Sequence, residues 1–200
     1  MAFSEEENKN IRRRLFEEAA KRAATVGTRK TSVEELTEAV GISKGLFYKF
    51  FDSKELLFFA VLESIHSDLY AVAKTVLDEN AALSASERTA KTLLAVCHRL
   101  SGTGAMRFIE SDAEYILRRI PERVKTEHYH DDEVHIRALL TEGNLKPDGG
   151  PELAAATVRG LILTVSHQQE IGERYPEVLR ILVRGAMREL FPQDRPKRYS

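Results

Sequence analysis

The chain has 200 residues, of which 42% are hydrophobic and 30% are charged, and its formal net charge is −1. This length allows one large domain, or a small domain joined to a larger one, with a real buried core. The only cysteine, Cys97, cannot form an intramolecular disulfide, so the fold does not depend on an oxidising compartment. The first ten residues resemble no leader, and no run reaches the roughly 18 apolar residues of a membrane helix. Export and membrane insertion are not expected, and a cytoplasmic location is predicted.

Charge is distributed unevenly along the chain. Between Lys9 and Lys54 there are eleven Lys and Arg against six Asp and Glu, whereas from Glu55 onward there are nineteen against twenty-two. A basic N-terminal region followed by an acidic remainder is typical of a protein whose N-terminal region binds a polyanion. The pattern favours a nucleic acid as the partner of the N-terminal region.

The spacing of apolar residues predicts helices along nearly the whole chain. The apolar residues of the first predicted helix share helical spacing: Ile11, Leu15, Ala19, Ala23 and Val26. This helix is expected to end at Gly27, and the next one is capped by Thr31 or Ser32. Gly41 is placed to end that short helix in a left-handed conformation, and Ser43 can cap a third helix directly after it. Two short helices around a tight glycine turn predict a helix-turn-helix.

The third predicted helix has two chemically different faces. At about 100° per residue, its apolar half contains Leu46, Phe47, Phe50 and Phe51, and its polar half contains Lys44, Gly45, Tyr48 and Lys49. A glycine in a short helix costs about 0.5 to 1 kcal/mol relative to alanine, which is understandable where another surface comes close. Lysine can bind phosphate or guanine, and a tyrosine hydroxyl can bind phosphate. Either lysine alone could simply be solvated, but the whole set favours DNA.

The segment from Thr31 to Leu57 resembles the helix-turn-helix of the tetracycline-repressor (TetR) family of bacterial transcription regulators. The run GISKGLFYKFFDSKE is similar to that family's usual G-V-S-K-G-T-L-Y-x-H/Y-F-x-S-K-E. The resemblance implies an all-α protein with a three-helix DNA-binding domain, residues 1–52, and a helical effector-binding and dimerisation domain, residues 53–200. It implies a homodimeric regulator, most simply a repressor, that binds a palindromic DNA operator, is released by a small-molecule effector, and needs no cofactor.

The resemblance also implies the residues that contact DNA. Lys44 and Gly45 match the opening of the recognition helix, Tyr48 matches a tyrosine that contacts the operator, and Lys54 matches a lysine that binds a phosphate after that helix. The hydroxyl residues at the start of the second helix match groups that touch the DNA backbone. The complete predicted set is Thr31, Ser32, Ser43, Lys44, Gly45, Leu46, Tyr48, Lys49 and Lys54.

Two positions depart from the family's pattern. Leu46 stands where threonine is common, and Phe50 where histidine or tyrosine is common, so two polar contacts to the DNA backbone are absent. Leu46 could instead lie against a thymine methyl group, and Lys49 could supply some of the missing phosphate attraction. The operator sequence therefore stays open.

The rest of the chain predicts a helical body. Ser53 can cap a long connecting helix, and further helices are indicated after Ser84, after Ala105 and after Pro121. By the resemblance, an effector enters this body, tilts the connecting helix and changes the separation of the two heads, which fit successive major grooves at about 34 to 36 Å. The candidate pocket residues, for which plain core is the alternative, are Phe59, Leu62, His66, Cys97, Phe108, Asp112 and Tyr115.

The two last predicted helices follow the loop GNLKPDGG. Pro151 opens the first of them, and both carry more apolar residues than one buried stripe requires. They could form the core pair of a monomer, but a four-helix dimer interface is preferred, with Gly160 and Gly185 allowing close approach. The predicted interface residues are Leu161, Val165, Val178, Leu182 and Met187.

Enzyme and metal motifs give little support to another function. The sequence contains no Gly-rich phosphate loop, GxSxG, HExxH or paired CxxC, so no enzymatic activity is predicted. The cluster HYHDD places His128 with Asp132, and Asp131 with His135, at a spacing that a metal could use, but such clusters are more often solvated and no metal is predicted. The remaining alternative is a helical ligand-binding or enzymatic protein whose helix-turn-helix has lost operator specificity.

Overall fold

The computed structural model describes residues 4–128 and 132–192, with side chains described for residues 4–126 and 134–192. Within these ranges the protein is all-α and has no strand, as predicted. The helices are α1 (Glu5–Thr25), α2 (Val33–Val40), α3 (Lys44–Phe47), α4 (Lys54–Glu79), α5 (Ala85–Thr103), α6 (Ala105–Leu117), α7 (Glu122–His128), α8 (Asp132–Glu142), α9 (Gly150–Leu163), α10 (Gln168–Ile171) and α11 (Tyr175–Leu190).

Helix α1 buries the apolar stripe that the sequence predicts, except at its end. A capping box between Ser4 and Glu7 satisfies the first turn. The buried stripe residues are Ile11, Leu15, Ala19 and Ala23. The prediction was wrong for Val26, which follows the last helical residue and is 48% exposed.

Helices α2 and α3 form the predicted helix-turn-helix. Ser32, and not Thr31, caps α2: its Oγ accepts the Glu35 N–H at 3.2 Å, and the Glu35 carboxylate accepts the Ser32 N–H at 2.7 Å. Gly41 ends α2 at φ 72° and ψ 40°, a left-handed conformation that favours glycine. Ser43 then caps α3, and its Oγ accepts the Leu46 N–H at 3.2 Å.

The recognition helix is shorter than predicted. Helix α3 is regular only over Lys44–Phe47. The chain continues with tighter turns, in which the Lys49 N–H donates to the Leu46 carbonyl at 3.2 Å and the Phe50 N–H to the Phe47 carbonyl at 2.9 Å. These bonds span three residues instead of four, as in a 3₁₀ turn.

The chain divides into two compact units. The first contains Met1–His66 and Thr103–Tyr129, and the second contains Ser67–Gly102 and His130–Ser200. Helix α6 is therefore part of the unit that carries the helix-turn-helix. The core of the first unit includes Leu15, Leu36, Phe47, Leu57, Phe58 and Leu62 together with Phe108, Ile116 and Ile120 from the segment after residue 103.

Helix α4 contradicts the expectation that no segment is long and apolar enough for a membrane helix. Among the described helices, Lys54–Glu79 is long and apolar enough to cross a membrane by length and composition. Its first turns bury Leu57, Phe58 and Leu62 in the core of the first unit. We therefore interpret it as a core helix.

The later helices depart from the predicted ones in two places. Two helices, α7 and α8, follow Pro121 where one was predicted, and the short α10 lies between the two final helices. The HYHDD hypothesis concerns residues that lie mostly outside the described side chains; within the described ones, His135 stacks on Tyr70 with ring centroids 4.0 Å apart. No group of three or more potential metal ligands occurs among the described residues.

Candidate nucleic-acid interface

The two faces of the α3 segment differ as predicted. Phe47 and Phe51 are buried, and Leu46 and Phe50 pack against the same core while remaining partly exposed. Tyr48 is 46% exposed, and its ring meets the Phe47 ring edge-on, with centroids 5.3 Å apart. The core contacts thus fix the orientation of the segment and leave its other side to the solvent.

The exposed side of this segment consists of Lys44, Gly45, Tyr48 and Lys49. A Cβ built on Gly45 would meet nothing closer than Ser43 Oγ, at 4.0 Å, among the described residues. Packing within the chain therefore does not explain the glycine. The open space leaves room for a surface outside the chain to approach the helix backbone.

Lys44 is paired within the helix-turn-helix. Its ammonium donates a hydrogen bond to the carboxylate of Glu34 on α2. This hydrogen bond lowers the pKa of Glu34 and raises the pKa of Lys44, so both groups are charged at neutral pH. Both side chains are more than half exposed. A DNA phosphate or base must therefore compete with Glu34 for Lys44.

Lys54 has a structural role that the sequence did not reveal. Its half-buried ammonium donates to the Thr28 carbonyl at 3.0 Å and to the Thr31 carbonyl at 2.6 Å. A lysine ammonium has three donors, so one remains for another acceptor. Lys54 thus holds the turn between α1 and α2, in addition to the phosphate contact predicted for it.

The three predicted hydroxyl residues are all engaged within the chain. Thr31 is buried, and its Oγ1 donates to the Gly27 carbonyl at 2.9 Å, so the prediction that its side chain touches DNA was wrong. Ser32 and Ser43 cap α2 and α3. Capping of the unpaired N–H groups at the two helix starts is enough to explain both serines, and a DNA contact is not needed to explain them.

Helix α6 contacts the turn between α1 and α2 through polar groups. Arg107 donates to the Ala24 carbonyl at 3.2 Å and to the Thr25 carbonyl, which lie in the last turn of α1. Arg29 donates to the Ser111 carbonyl at 3.3 Å. Asp112 is 4% exposed, and its Oδ2 accepts the Thr28 N–H at 3.3 Å. The predicted pocket residue Asp112 therefore faces the α1–α2 turn.

Tyr115 is a second predicted pocket residue that lies against the helix-turn-helix unit. The guanidinium of Arg29 lies over its ring at 5.0 Å and that of Arg119 at 3.8 Å. Its hydroxyl donates to Glu55 at 3.4 Å. Polar groups of the same unit thus surround both its face and its hydroxyl.

The other predicted pocket residues divide between the two units. Phe59, Leu62 and Phe108 are buried in the core of the first unit, and Phe108 lies 6.2 Å from Phe58 by ring centroids. His66 is half-buried at the end of that unit. Two surface grooves of about 340 Å³ are described in the second unit, and none of the seven predicted residues lines them. The effector pocket stays a prediction.

Cys97 lies in the second unit and is fully buried. Burial raises the pKa of its thiol to about 12. We expect a thiol reagent at pH 8 to leave Cys97 unmodified in the folded protein and to modify it fully in denaturant, because the thiolate is the reactive species. Rapid modification of the native protein would contradict its assignment as a core residue.

The predicted dimer residues fall into two groups. Val165 and Met187 are fully buried within the chain, so a partner could not cover them further and their assignment to an interface was wrong. Leu161 and Val178 are partly exposed, and Leu182 is 43% exposed. The exposed large apolar residues of α9 and α11 are Leu153, Leu163, Ile181 and Leu182.

Comparisons with known proteins agree with this arrangement. Residues 15–61 match the sequence model of the bacterial regulatory proteins of the tetR family. The chain is 25% identical over 161 residues to the nucleoid occlusion factor SlmA of Shewanella pealeana. The aligned region covers 78% of this chain and 79% of SlmA.

Two solved structures show the same fold. One is a Mesorhizobium loti protein described as a TetR-family transcriptional regulator, with a TM-score of 0.69 and 20% identity over 93% of this chain and 97% of that one. The other is FadR of Bacillus subtilis in complex with stearoyl-CoA, with a TM-score of 0.58 and 17% identity over 85% of this chain and 96% of that one. Over residues 15–61 the chain therefore carries a helix-turn-helix similar to that of the tetR family of bacterial regulatory proteins, on a fold that it shares with solved structures described as TetR-family regulators.

Proposed function

We propose that this chain is a transcriptional regulator of the TetR family, a cytoplasmic repressor that binds a palindromic operator as a homodimer and is released by a small-molecule effector. The exposed side of the α3 segment is the main support. Lys44, Gly45, Tyr48 and Lys49 form a basic, sterically open surface on a segment whose opposite side is locked into the core. A short helix that presents such a surface can enter the major groove of DNA.

The residues of this surface have different proposed roles. Lys44 opens the recognition helix, where side chains reach base edges, and can donate to the acceptors of guanine. Lys49 is exposed and lies beyond the regular helix, so it is suited to a phosphate contact. Tyr48 combines a ring packed on Phe47 with an exposed position, and its hydroxyl can bind a phosphate.

The proposed dimer rests on the exposed apolar residues of the last helices. A Cβ on Gly160 of α9 or on Gly185 of α11 would meet nothing within 4 Å among the described residues. Both glycines are exposed, as are Leu182 and Ile181. A second copy packed here would cover this apolar surface in a symmetric, self-complementary interface. Two linked heads can then read the two halves of a palindrome.

The proposed effector is a small molecule bound by the helical body. FadR, whose fold is similar, was solved with stearoyl-CoA, which supports a small-molecule input for this chain without identifying it. An effector that prefers the DNA-free conformation lowers operator affinity by its differential affinity for the two states. Its binding would also raise the melting temperature of the free protein.

The experiment that tests the DNA-binding role compares Lys44→Ala with Lys49→Ala. The DNA is a palindrome from the promoter of the protein's own gene, the same palindrome with single base changes, and a duplex of random sequence. We expect Lys44→Ala to cost about 1 to 3 kcal/mol on the palindrome and to relax discrimination at one base pair in each half-site. Lys49→Ala should weaken binding to all three duplexes alike and lower the salt slope by about one unit for each phosphate that is no longer bound.

The opposite results are equally clear. An equal decrease in affinity for all three duplexes in Lys44→Ala would make Lys44 a phosphate contact and leave base reading to other residues. A wild-type protein that does not distinguish the palindrome from random DNA would favour the alternative of a helical ligand-binding protein without operator specificity. Titrations at several salt concentrations separate these cases.

A further inference from the structure

The turn that joins α1 to α2, residues 27–31, is held from two sides by charged groups. From α4, the Lys54 ammonium donates to the carbonyls of Thr28 and Thr31 at 3.0 and 2.6 Å. From α6, the Asp112 carboxylate accepts the Thr28 N–H at 3.3 Å. The two backbone polar groups of Thr28 therefore connect the carboxylate to the ammonium.

This connection is buried and tightly packed. Thr28 and Thr31 are almost completely inaccessible, as is Asp112. A Cβ built on Gly27, whose φ is +83°, would lie 2.6 Å from Asp112 Oδ2. Only glycine leaves room for the carboxylate at this point of the turn.

The side chain of Thr28 does not take part in the connection. Its Oγ1 is buried and has no hydrogen-bond partner among the described residues. The N–H bonds to Asp112, whereas the carbonyl accepts from Lys54 and from the Thr31 N–H at 3.2 Å. Any movement of the Thr28 backbone therefore displaces one of the two carbonyls that accept hydrogen bonds from the Lys54 ammonium.

We propose that Asp112 is a positioning residue for DNA binding, which fixes the Lys54 ammonium through the Thr28 backbone so that its third N–H can donate to a DNA phosphate. Two of the three donors of Lys54 are used by the turn, so the direction of the third depends on where the turn carbonyls lie. Without Asp112, the buried Thr28 N–H has no acceptor. The turn then relaxes toward water, and the Thr28 carbonyl withdraws from Lys54.

This inference rests on the DNA contact proposed for Lys54 and adds to it a residue more than fifty positions later in the chain. The Asp112 side chain cannot touch DNA itself, because it is buried against the turn. Its proposed contribution is to fix the position and orientation of the Lys54 ammonium. The orientation of that charge is therefore expected to depend on α6 as well as on α4.

The test is the salt dependence of binding to a short duplex of random sequence, which reports phosphate contacts without requiring the operator. Lys54→Met is expected to lower the slope of log affinity against log salt by about one unit for each phosphate that is no longer bound. Asp112→Ala is expected to lower the slope equally, and the double variant should show no further decrease. Asp112→Asn retains an acceptor oxygen for the Thr28 N–H and is expected to keep the wild-type slope.

Two control variants separate positioning from stability. Ile116→Ala removes a fully buried side chain from the same helix. It is expected to lower the melting temperature and to leave the slope unchanged. Thr28→Val removes the unpartnered hydroxyl and keeps both backbone groups, so a decreased slope in this variant would contradict a connection that runs through the Thr28 backbone alone. Circular dichroism confirms that each variant is folded before its slope is measured.

Several results would overturn the proposal. These are a wild-type slope for Asp112→Ala, a wild-type slope for Lys54→Met, and additive decreases in the double variant. If Asp112→Ala does not fold, Asp112→Ser, which is also too short to accept the N–H, replaces it. If neither folds, Asp112 is a purely structural residue and the positioning role is wrong. A wild-type protein without preference for its promoter would contradict the repressor proposal but not the comparison of slopes.

Discussion

We expect Leu182→Arg to convert the proposed dimer into a folded monomer. Leu182 is 43% exposed in the single chain, so an arginine can be accommodated there while the monomer keeps its fold. In the proposed dimer the same side chain is covered by the partner, and the variant would bury an unpaired charge at a cost of several kcal/mol. Light scattering coupled to gel filtration measures the mass directly, and circular dichroism reports the helical content.

The matched control is Glu177→Arg on the same helix. It lies five residues before Leu182, about 140° around the helix, and is already charged and exposed. It should remain dimeric at all concentrations at which the wild type is dimeric. A Leu182→Arg protein with the mass of the wild-type dimer would show that this part of α11 is not in the interface. Loss of operator binding should accompany dissociation, because each monomer contacts only one half-site.

The second large effect is expected for Phe108→Ala. Phe108 of α6 is fully buried in the core of the first unit and lies beside Phe58 of α4. Removing a buried phenylalanine ring typically costs about 3 to 5 kcal/mol of unfolding free energy. Because that core also orients the recognition segment, we expect faster amide hydrogen exchange in α2 and α3 as well as weaker DNA binding.

Val26→Ala is the control for this variant. Val26 is in the same unit but is 48% exposed, so its truncation should change the stability by no more than about 0.5 kcal/mol. The chain contains no tryptophan, so denaturation is best followed by circular dichroism. If Phe108→Ala lowers the unfolding free energy by less than about 1 kcal/mol, α6 contributes little to the stability of the first unit, contrary to the burial of Phe108 in its core.

The helix-turn-helix could be predicted in detail because its signals are local. The cap at Ser32 and its Glu35 partner are three residues apart, and Gly41 is followed within two residues by the next cap, Ser43. Each signal acts through a hydrogen bond or a backbone conformation within one or two turns. The structure confirms all of these except the length of the recognition helix.

The contribution of α6 could not be predicted, because it depends on contacts between distant parts of the chain. Phe58 and Phe108 are far apart in the sequence, although their rings are neighbours in the core. No periodic pattern in the sequence indicates which buried helix faces meet. The same limit applies to Lys54 and Thr31. Their residue types indicate polar contacts, but only the path of the α1–α2 turn shows that the contacts are made within the chain.

Apolar periodicity also could not separate a chain's own core from a surface for a partner. Met187 and Leu182 lie on the same helix and have similar hydrophobicity, yet one is fully buried and the other is exposed. The pattern marks both as residues that avoid water. Which of the two is covered within the chain depends on how α11 packs against α9 and its other neighbours, and the sequence of a single helix does not contain that information.

The ion pair between Lys44 and Glu34 has a consequence for how the protein moves along a chromosome. In the proposed DNA complex, a lysine that leaves a carboxylate partner gains less from an ordinary phosphate, so we expect the pair to weaken the binding of each DNA-binding unit to unrelated DNA. At the operator, a well-placed guanine can replace Glu34 as the partner of Lys44. We therefore expect the Glu34 carboxylate to shorten the binding events at wrong sequences and to speed the search for the operator.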